Sequence, residues 1–298
     1  MPRRSDIWRI GLVDADIEAV ANRGLTGMTI RWLAEEPALT FLADPFGLWR
    51  EGRLHVFAEA YDYRTRHGVI DLLRFGENLD LIDRRTVLRE PWHLSYPFVF
   101  EADGQAWMAP EAYRSGALTL YRQGRSLDHW EVASRLELDS PAIDPSVFRH
   151  GGLWWIAYSP SGTKAARQER LHLAFAETLT GLWRTHPGNP VRIDPHGSRP
   201  GGTPFPHAGC LTLPVQDCSR TYGGAIRLLH IHQLTPDRFE ADLSDALAPP
   251  RSAAPYRDGL HTLAGCGDVT LIDVKRIDRS LAGLAIDARR LVSGARRA

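Results

Sequence analysis

Four residues stand just before prolines at near-equal intervals: Asp44, Tyr96, Asp144 and Arg199, separated by 52, 48 and 55 positions. Two carboxylates, a phenol and a guanidinium can move protons, steady a developing positive charge and grip an oxyanion. Glu59 follows Asp44, and Glu111 follows Tyr96, by the same 15 residues. An equal offset in equivalent units implies an equivalent place in space, so both glutamates belong with the group. Glu111 lies in the apolar run Met108–Ala112, where removal from water raises a carboxyl pKa and favours a proton donor.

Further hydrogen-bonding groups cluster along the chain. His93, Ser95 and Tyr96 sit together beside Trp92, and residues 216–224 gather Gln216, Asp217, Arg220 and Tyr222 ahead of two glycines. His261 opens a later unit. Such density suits a saccharide, and it equally suits loops that satisfy their own backbone; Asp-Pro alone is an ordinary turn opener. Recurrence at matched positions is what favours chemistry. Cys218 has no adjacent base, and His230 and His232 share a strand face with no carboxylate at matched spacing, so both read as structural. No phosphate-binding loop, dinucleotide glycine fingerprint or Gly-x-Ser-x-Gly elbow occurs, and no metal or cofactor is expected.

Elements must bring residues about 50 positions apart to one place. Each proline opens a similar unit: a short apolar run, a Gly-containing turn and a second alternating strand, as in Val147–Arg149, His150-Gly151-Gly152 and Leu153–Tyr158. A period of roughly 50 residues is the mark of a propeller, because one such unit cannot bury its own apolar faces. The expected fold is all-β: a single five-bladed propeller of four-stranded antiparallel blades over residues 1–298. Blades start near 44, 96, 144, 199 and 261, the N-terminal strand Ile7–Val13 closes the ring, and a helical tail follows from about 279. The fifth blade is expected to use Phe239–Leu243, His261–Leu263 and Val269–Val274, and the polar stretch Ser159–Arg170 to be a loop. Proline is expected at the first residue of each inner strand, preceded by extended backbone. Inner strands of a propeller run in one direction, so equivalent positions converge on one mouth.

Composition agrees with this. The 298 residues include 9 Trp, 8 Tyr and 10 Phe beside 26 Gly and 20 Pro, a mixture for short strands, tight turns and sugar-stacking surfaces. Lys+Arg and Asp+Glu are equal at 36, which argues against nucleic acid or an anionic membrane as partner. Three cysteines, Cys210, Cys218 and Cys266, read as free thiols in a reducing compartment. With no secretory apolar core at the N-terminus and no run of 18 apolar residues, the expectation is a cytoplasmic protein without a transmembrane segment.

The chain resembles the five-bladed propellers of glycoside hydrolase families 43 and 32. More closely, it resembles the N-terminal propeller domain of plant glucosamine inositolphosphorylceramide transferases and its bacterial stand-alone relatives. The matching stretches are ADPF from Ala43, HLSYPF from His93, PE at Pro110, IDPSVF from Ile143, RPGG from Arg199, QDCSRTYGG from Gln216 and HT at His261. The resemblance implies that Asp44 is the general base and that Asp144 orients or tunes the acid. The fourth-blade glutamate that serves as acid in the family 43 enzymes has no counterpart; Arg199, Gln216 and Asp217 stand there instead. Glu111 or Glu59 must then supply the proton, or the leaving group must need little help. The expected function is glycosyl transfer from an activated sugar, with Arg199 and Arg220 available for a donor phosphate. A glycoside hydrolase with the same site and a non-catalytic saccharide-binding or scaffold propeller are the alternatives.

Overall fold

A computed structural model describes residues 5–278 and the isolated positions 284, 285 and 288; the expected C-terminal helix lies outside the described residues apart from those three positions. Five antiparallel sheets form the blades of a propeller. Blade one runs outward from Thr40–Arg50 through Arg53–Asp62 and His67–Phe75 to Leu81–Leu88. Blade two begins with Ser95–Ala102 and Gln105–Glu111, blade three with Ala142–His150 and Leu153–Pro160. In blade four the inner edge is split into Arg199–Pro200 and Phe205–His207, both paired with Cys210–Asp217. Blade five takes its two inner strands, Gly259–Cys266 and Val269–Asp278, from the C-terminal region and its two outer strands, Ser5–Val13 and Ile30–Trp32, from the N-terminus. The ring is thus closed by pairing the two ends of the chain, which leaves no sheet gap for the wheel to open.

Each blade reads as alternating apolar strands because both faces press on neighbouring blades. Phe46, Phe57, Phe98 and Tyr96 are buried between blades one and two, and Trp155, Leu173 and Leu229 between blades three and four. Ile17–Arg23 forms a short helix, capped by Asp16, whose carboxylate accepts the Ala19 N–H, and ended by Gly24.

Three expectations are corrected. Phe239–Leu243 lies in Arg238–Leu243, which pairs with Ala225–Thr235 as the outer strand of blade four. Blade five needs no strand there, because the N-terminus supplies its outer half. The stretch 159–170 is not all loop: Lys164–Glu169 is a helix, started by the Thr163 hydroxyl accepting the Ala166 N–H. Finally, Pro45, Pro97 and Pro145 lie inside their strands, and Asp44, Tyr96 and Asp144 are not extended but left-handed, with φ of 51°, 43° and 47°. In each blade two residues face one on the partner strand, with register shifts between Ala43 and Phe46, Ser95 and Phe98, and Ile143 and Ser146. These are β-bulges. A bulge accepts a residue with no N–H, and its twist re-aims the preceding side chain.

Candidate functional site

The bulges deliver the predicted residues to one place. Asp44, Asp144, Glu59 and Glu111 are all buried near the axis, the two glutamates from the second strands of blades one and two. Glu59 stands opposite Ala43 and Glu111 opposite Ser95, so the 15-residue offset does mark one register position in both blades. A fifth acid, Asp273, joins them from Val269–Asp278 and is wholly enclosed.

Hydrogen bonds link the acids around the ring. Asp273 accepts the backbone N–H groups of Asp44 (2.8 Å), His261 (3.2 Å) and Thr262 (3.0 Å). Asp44 in turn accepts the Tyr96 N–H at 3.1 Å, and Glu111 accepts the Asp144 N–H at 3.3 Å. A carboxylate from one blade thus ties down the bulge of the next. His261 lies between two acids: Nδ1 is 2.7 Å from Asp273 and Nε2 is 3.3 Å from Asp44, with Trp8 stacked on its ring at 3.6 Å between centroids. Burial opposes charge on this imidazole, but Asp273 and Asp44 outweigh it and raise its pKa.

On the blade-three side Asp144 is bound in a two-pronged ion pair with Arg199, at 2.7 and 3.1 Å, and accepts Gln216 Nε2 at 2.6 Å. Arg199 also lies 4.8 Å from the Tyr222 ring centroid. Its fork is therefore committed within the protein.

The remaining acids are less compensated. Burial pushes both Glu59 and Glu111 well above the ordinary glutamate range, and the neighbouring acids add to this; for Glu111, Arg199 at 3.8 Å works in the opposite direction. Burial also raises Asp44 to about 6, with His261 opposing and Asp273 and Asp144 reinforcing it. The arrangement favours the protonated form of two glutamates beside an aspartate raised less far, a pattern that suits general acid–base work.

The other predicted residues divide into two groups. Tyr96 is enclosed: its hydroxyl accepts the Gly202 N–H at 2.7 Å and lies 2.9 Å from the Ser146 hydroxyl. Gly202 is required here, because a Cβ would come 1.9 Å from the Leu263 carbonyl oxygen. Ser95 is buried opposite Glu111. His93 accepts the Gly68 N–H at Nδ1 (2.9 Å) and turns Nε2 toward Glu59 at 3.5 Å; burial lowers its pKa to about 4, helped by Arg114 and His67. Gln216, Tyr222 and His261 join the cluster. Asp217 and Arg220 do not: they line a separate cavity of about 450 Å³ with Arg227, Asp258 and His196.

Sequence reading missed Asp273, Thr262, Trp8 and Lys275. The available signal was Asp273 and Lys275 within the otherwise apolar Val269–Val274 strand and its next residue. Lys275 is fully buried over the Trp8 and Tyr222 rings, and burial lowers its pKa. Among the described residues, Asp44, His261 and Asp273 are grouped closely enough to hold a metal ion. Their present geometry suits a protonated imidazole, since both ring nitrogens already face a carboxylate. His232 pairs with Asp242 at the surface and His230 with Thr212.

Residues 14–251 match the family described as glucosamine inositolphosphorylceramide transferase 1, N-terminal. The chain belongs to this family. Glucosamine inositolphosphorylceramide transferase 1 of Oryza sativa subsp. indica is 30% identical over 263 residues, covering 80% of this chain and 35% of that protein. The Arabidopsis thaliana protein of the same name is 29% identical over 258 residues, covering 85% and 33%. The chain thus spans about a third of the length of these relatives. Among solved structures, a putative glycoside hydrolase from Bacteroides ovatus superposes with TM-score 0.56 at 13% identity, covering 78% of this chain and 86% of that one. Zg3597, a family 117 glycoside hydrolase from Zobellia galactanivorans, gives 0.54 at 14% identity, covering 71% and 72%. At such identities the likeness is one of fold.

Proposed function

We propose that the axial cluster is a glycosyl-transfer site in a carbohydrate-active protein. One observation carries the reading: buried acids with differently shifted pKa values, Glu59 and Glu111 well above the ordinary range and Asp44 near 6, meet in a single site. In the proposed step the bond from the anomeric carbon to the leaving oxygen breaks and a bond to the acceptor oxygen forms. Asp44 takes the acceptor hydroxyl proton, and Glu111 gives a proton to the leaving oxygen. Asp144, held by Arg199 and Gln216, faces the positive charge that develops on the sugar ring. The family relationship and the hydrolase fold support carbohydrate as the substrate class. The free thiols of Cys210, Cys218 and Cys266 support a reducing, cytoplasmic setting, and among the described residues no helix is long and apolar enough to cross a membrane.

A second reading is favoured by a specific observation. Asp144, Asp44 and Asp273 already pair with Arg199 and His261. A saccharide-binding propeller, with chemistry carried out elsewhere in a longer polypeptide such as the relatives, fits that self-sufficiency. Incubation with activated sugars and saccharide acceptors separates the two readings. Transfer requires turnover that Asp44→Asn lowers by about 100-fold or more with the fold intact. Saccharide binding without turnover, unchanged in Asp44→Asn, leaves the binding reading in its place.

A further inference from the structure

The second strands of the blades use their acids unequally. In blades five and two the acid of that strand fastens the bulge of the next blade: Asp273 accepts the Asp44 N–H, and Glu111 accepts the Asp144 N–H. Glu59 holds the same register position in blade one as Glu111 in blade two. The N–H it would fasten, that of Tyr96, goes to Asp44 instead. Glu59 is thus released from the work its counterparts do. Among the described residues it is 6% exposed and, alone of the five axial acids, makes no hydrogen bond. Buried carboxyls almost always find a partner within the protein, so one held without a partner points to a group from outside.

His93 faces Glu59, and its position is built by the backbone. The Leu94 N–H donates to the Gly68 carbonyl at 3.1 Å, and the Gly68 N–H donates back to His93 Nδ1 at 2.9 Å. Glycine is needed for this approach, because a Cβ would come 2.4 Å from the Leu94 carbonyl oxygen. Tyr61, two residues past Glu59 on the same strand face, packs against the imidazole at 5.6 Å between centroids and 84° between planes. An accepting Nδ1 puts the single proton of the neutral ring on Nε2. Nε2 faces Glu59 across 3.5 Å, too far for a good hydrogen bond, so a donor and an acceptor stand side by side with capacity unspent. Solvent reaches this pair. The side chains of His93 and Glu59 are 19% and 9% exposed, against 2% for His261 and 0% for Asp273, so the axis is approached from the seam of blades one and two.

Resting on the transfer reading above, we infer that Glu59 and His93 form a hydroxyl-recognition subsite for a neutral sugar ring entering the axial site. A hydroxyl oxygen about 2.8 Å from both atoms completes a triangle on their 3.5 Å base, accepting from Nε2–H and donating to the carboxyl. A hydroxyl does both at once; an ammonium has no lone pair for the N–H, and a methylene satisfies neither group. Glu59 is then a recognition residue, and proton donation stays with Glu111. This division accounts for two glutamates that share a register position yet differ in their partners.

The test is calorimetric titration of the full chain with glucose, mannose, galactose and xylose, with melting temperatures measured beside it. The wild type is expected to bind at least one of these sugars. Glu59→Met keeps the shape and removes both polar atoms, so it should bind that sugar weaker by roughly tenfold. Glu59→Gln keeps a donor and an acceptor and should stay within about threefold of the wild type. Removing a structural carboxyl lowers the melting temperature; removing this one should leave it unchanged or raise it. One monodeoxy analogue of the bound sugar should lose the same factor against the wild type and nothing further against Glu59→Met. The subsite is overturned by a wild type that binds none of the sugars, by equal binding in Glu59→Met, by a lowered melting temperature in that variant, or by deoxy losses identical in both proteins. Because the readout is binding, this pattern without any turnover removes the transfer reading and leaves the subsite standing, whereas turnover with equal binding does the reverse.

Discussion

The two sides of the axial cluster treat buried acids in opposite ways. On one side Asp144, Asp44 and Asp273 face Arg199 or His261, and Asp273 also collects three backbone N–H groups. On the other side, among the described residues, Glu59 has only a neutral His93 at 3.5 Å, and Glu111 has one N–H and a more distant Arg199. The first side works as a fastening that joins blades; the second stores protons. The difference shows that a propeller axis can hold many acids when some are paired with cations and others give up their charge.

Removing the fastening gives the largest effect. Asp273→Ala leaves three N–H groups without an acceptor and takes the nearer of two carboxylates from the buried His261, so it is expected to cost about 3–5 kcal/mol, read by urea unfolding. Asp144→Asn leaves Arg199 buried without its counter-charge and is expected to cost about 1.5–3 kcal/mol in the same measurement. If the two variants unfold like the wild type, the fastening account fails.

Proline spacing and hairpin turns made the wheel legible, because blades one to three repeat a bulge that accepts proline and a turn that uses glycine. The matched Glu59 and Glu111 offset was legible for the same reason. What escaped was set by contacts between ends of the chain. Asp273 and Trp8 acquire their roles only when the N-terminal strands complete blade five, and nothing in the Val269–Val274 pattern announces which bulge Asp273 will bind. Likewise, the left-handed backbone at Asp44 contradicts the local preference before proline, because pairing across the sheet overrides it. The commitment of Arg199 to Asp144 is a tertiary fact that position before a proline does not reveal.

A pH titration of stability also compares the sides. Asp44, Glu59 and Glu111 have raised folded pKa values, so their contribution is fully present below the unfolded carboxyl range and is lost as pH rises through the folded values. His261, also raised, loses its contribution at higher pH in the same direction. For Asp44, a shift from 3.8 to about 6 corresponds to an order of 3 kcal/mol lost between about pH 4 and pH 6. His93 has the opposite sign: its value near 4 makes stability fall as pH drops below its unfolded pKa. Because Asp44 and His93 act in opposite directions over the same window, Asp44 is read by difference: the wild type should lose melting temperature relative to Asp44→Asn between about pH 4 and pH 6, and a difference that does not change with pH contradicts the raised Asp44 value.

The smallest effect is the sharpest contrast. Glu59→Gln and Glu111→Gln replace protonated carboxyls with groups of similar shape, so each is expected to change stability by less than about 0.5 kcal/mol at neutral pH, far less than Asp144→Asn. Glu111→Gln should nevertheless lower any transfer rate by about 100-fold or more. A loss of stability as large as that of Asp144→Asn contradicts the proton on the glutamate.

The protonation states themselves can be observed. Carboxyl carbon NMR of the protein labelled at glutamate side chains, assigned with Glu59→Gln and Glu111→Gln and followed across the pH range, reads them directly. The account predicts that the Glu59 and Glu111 carboxyls keep the chemical shift of the protonated acid at pH 7, while exposed glutamates have long since ionised. Titration of both with the exposed glutamates, near their ordinary value, would contradict it.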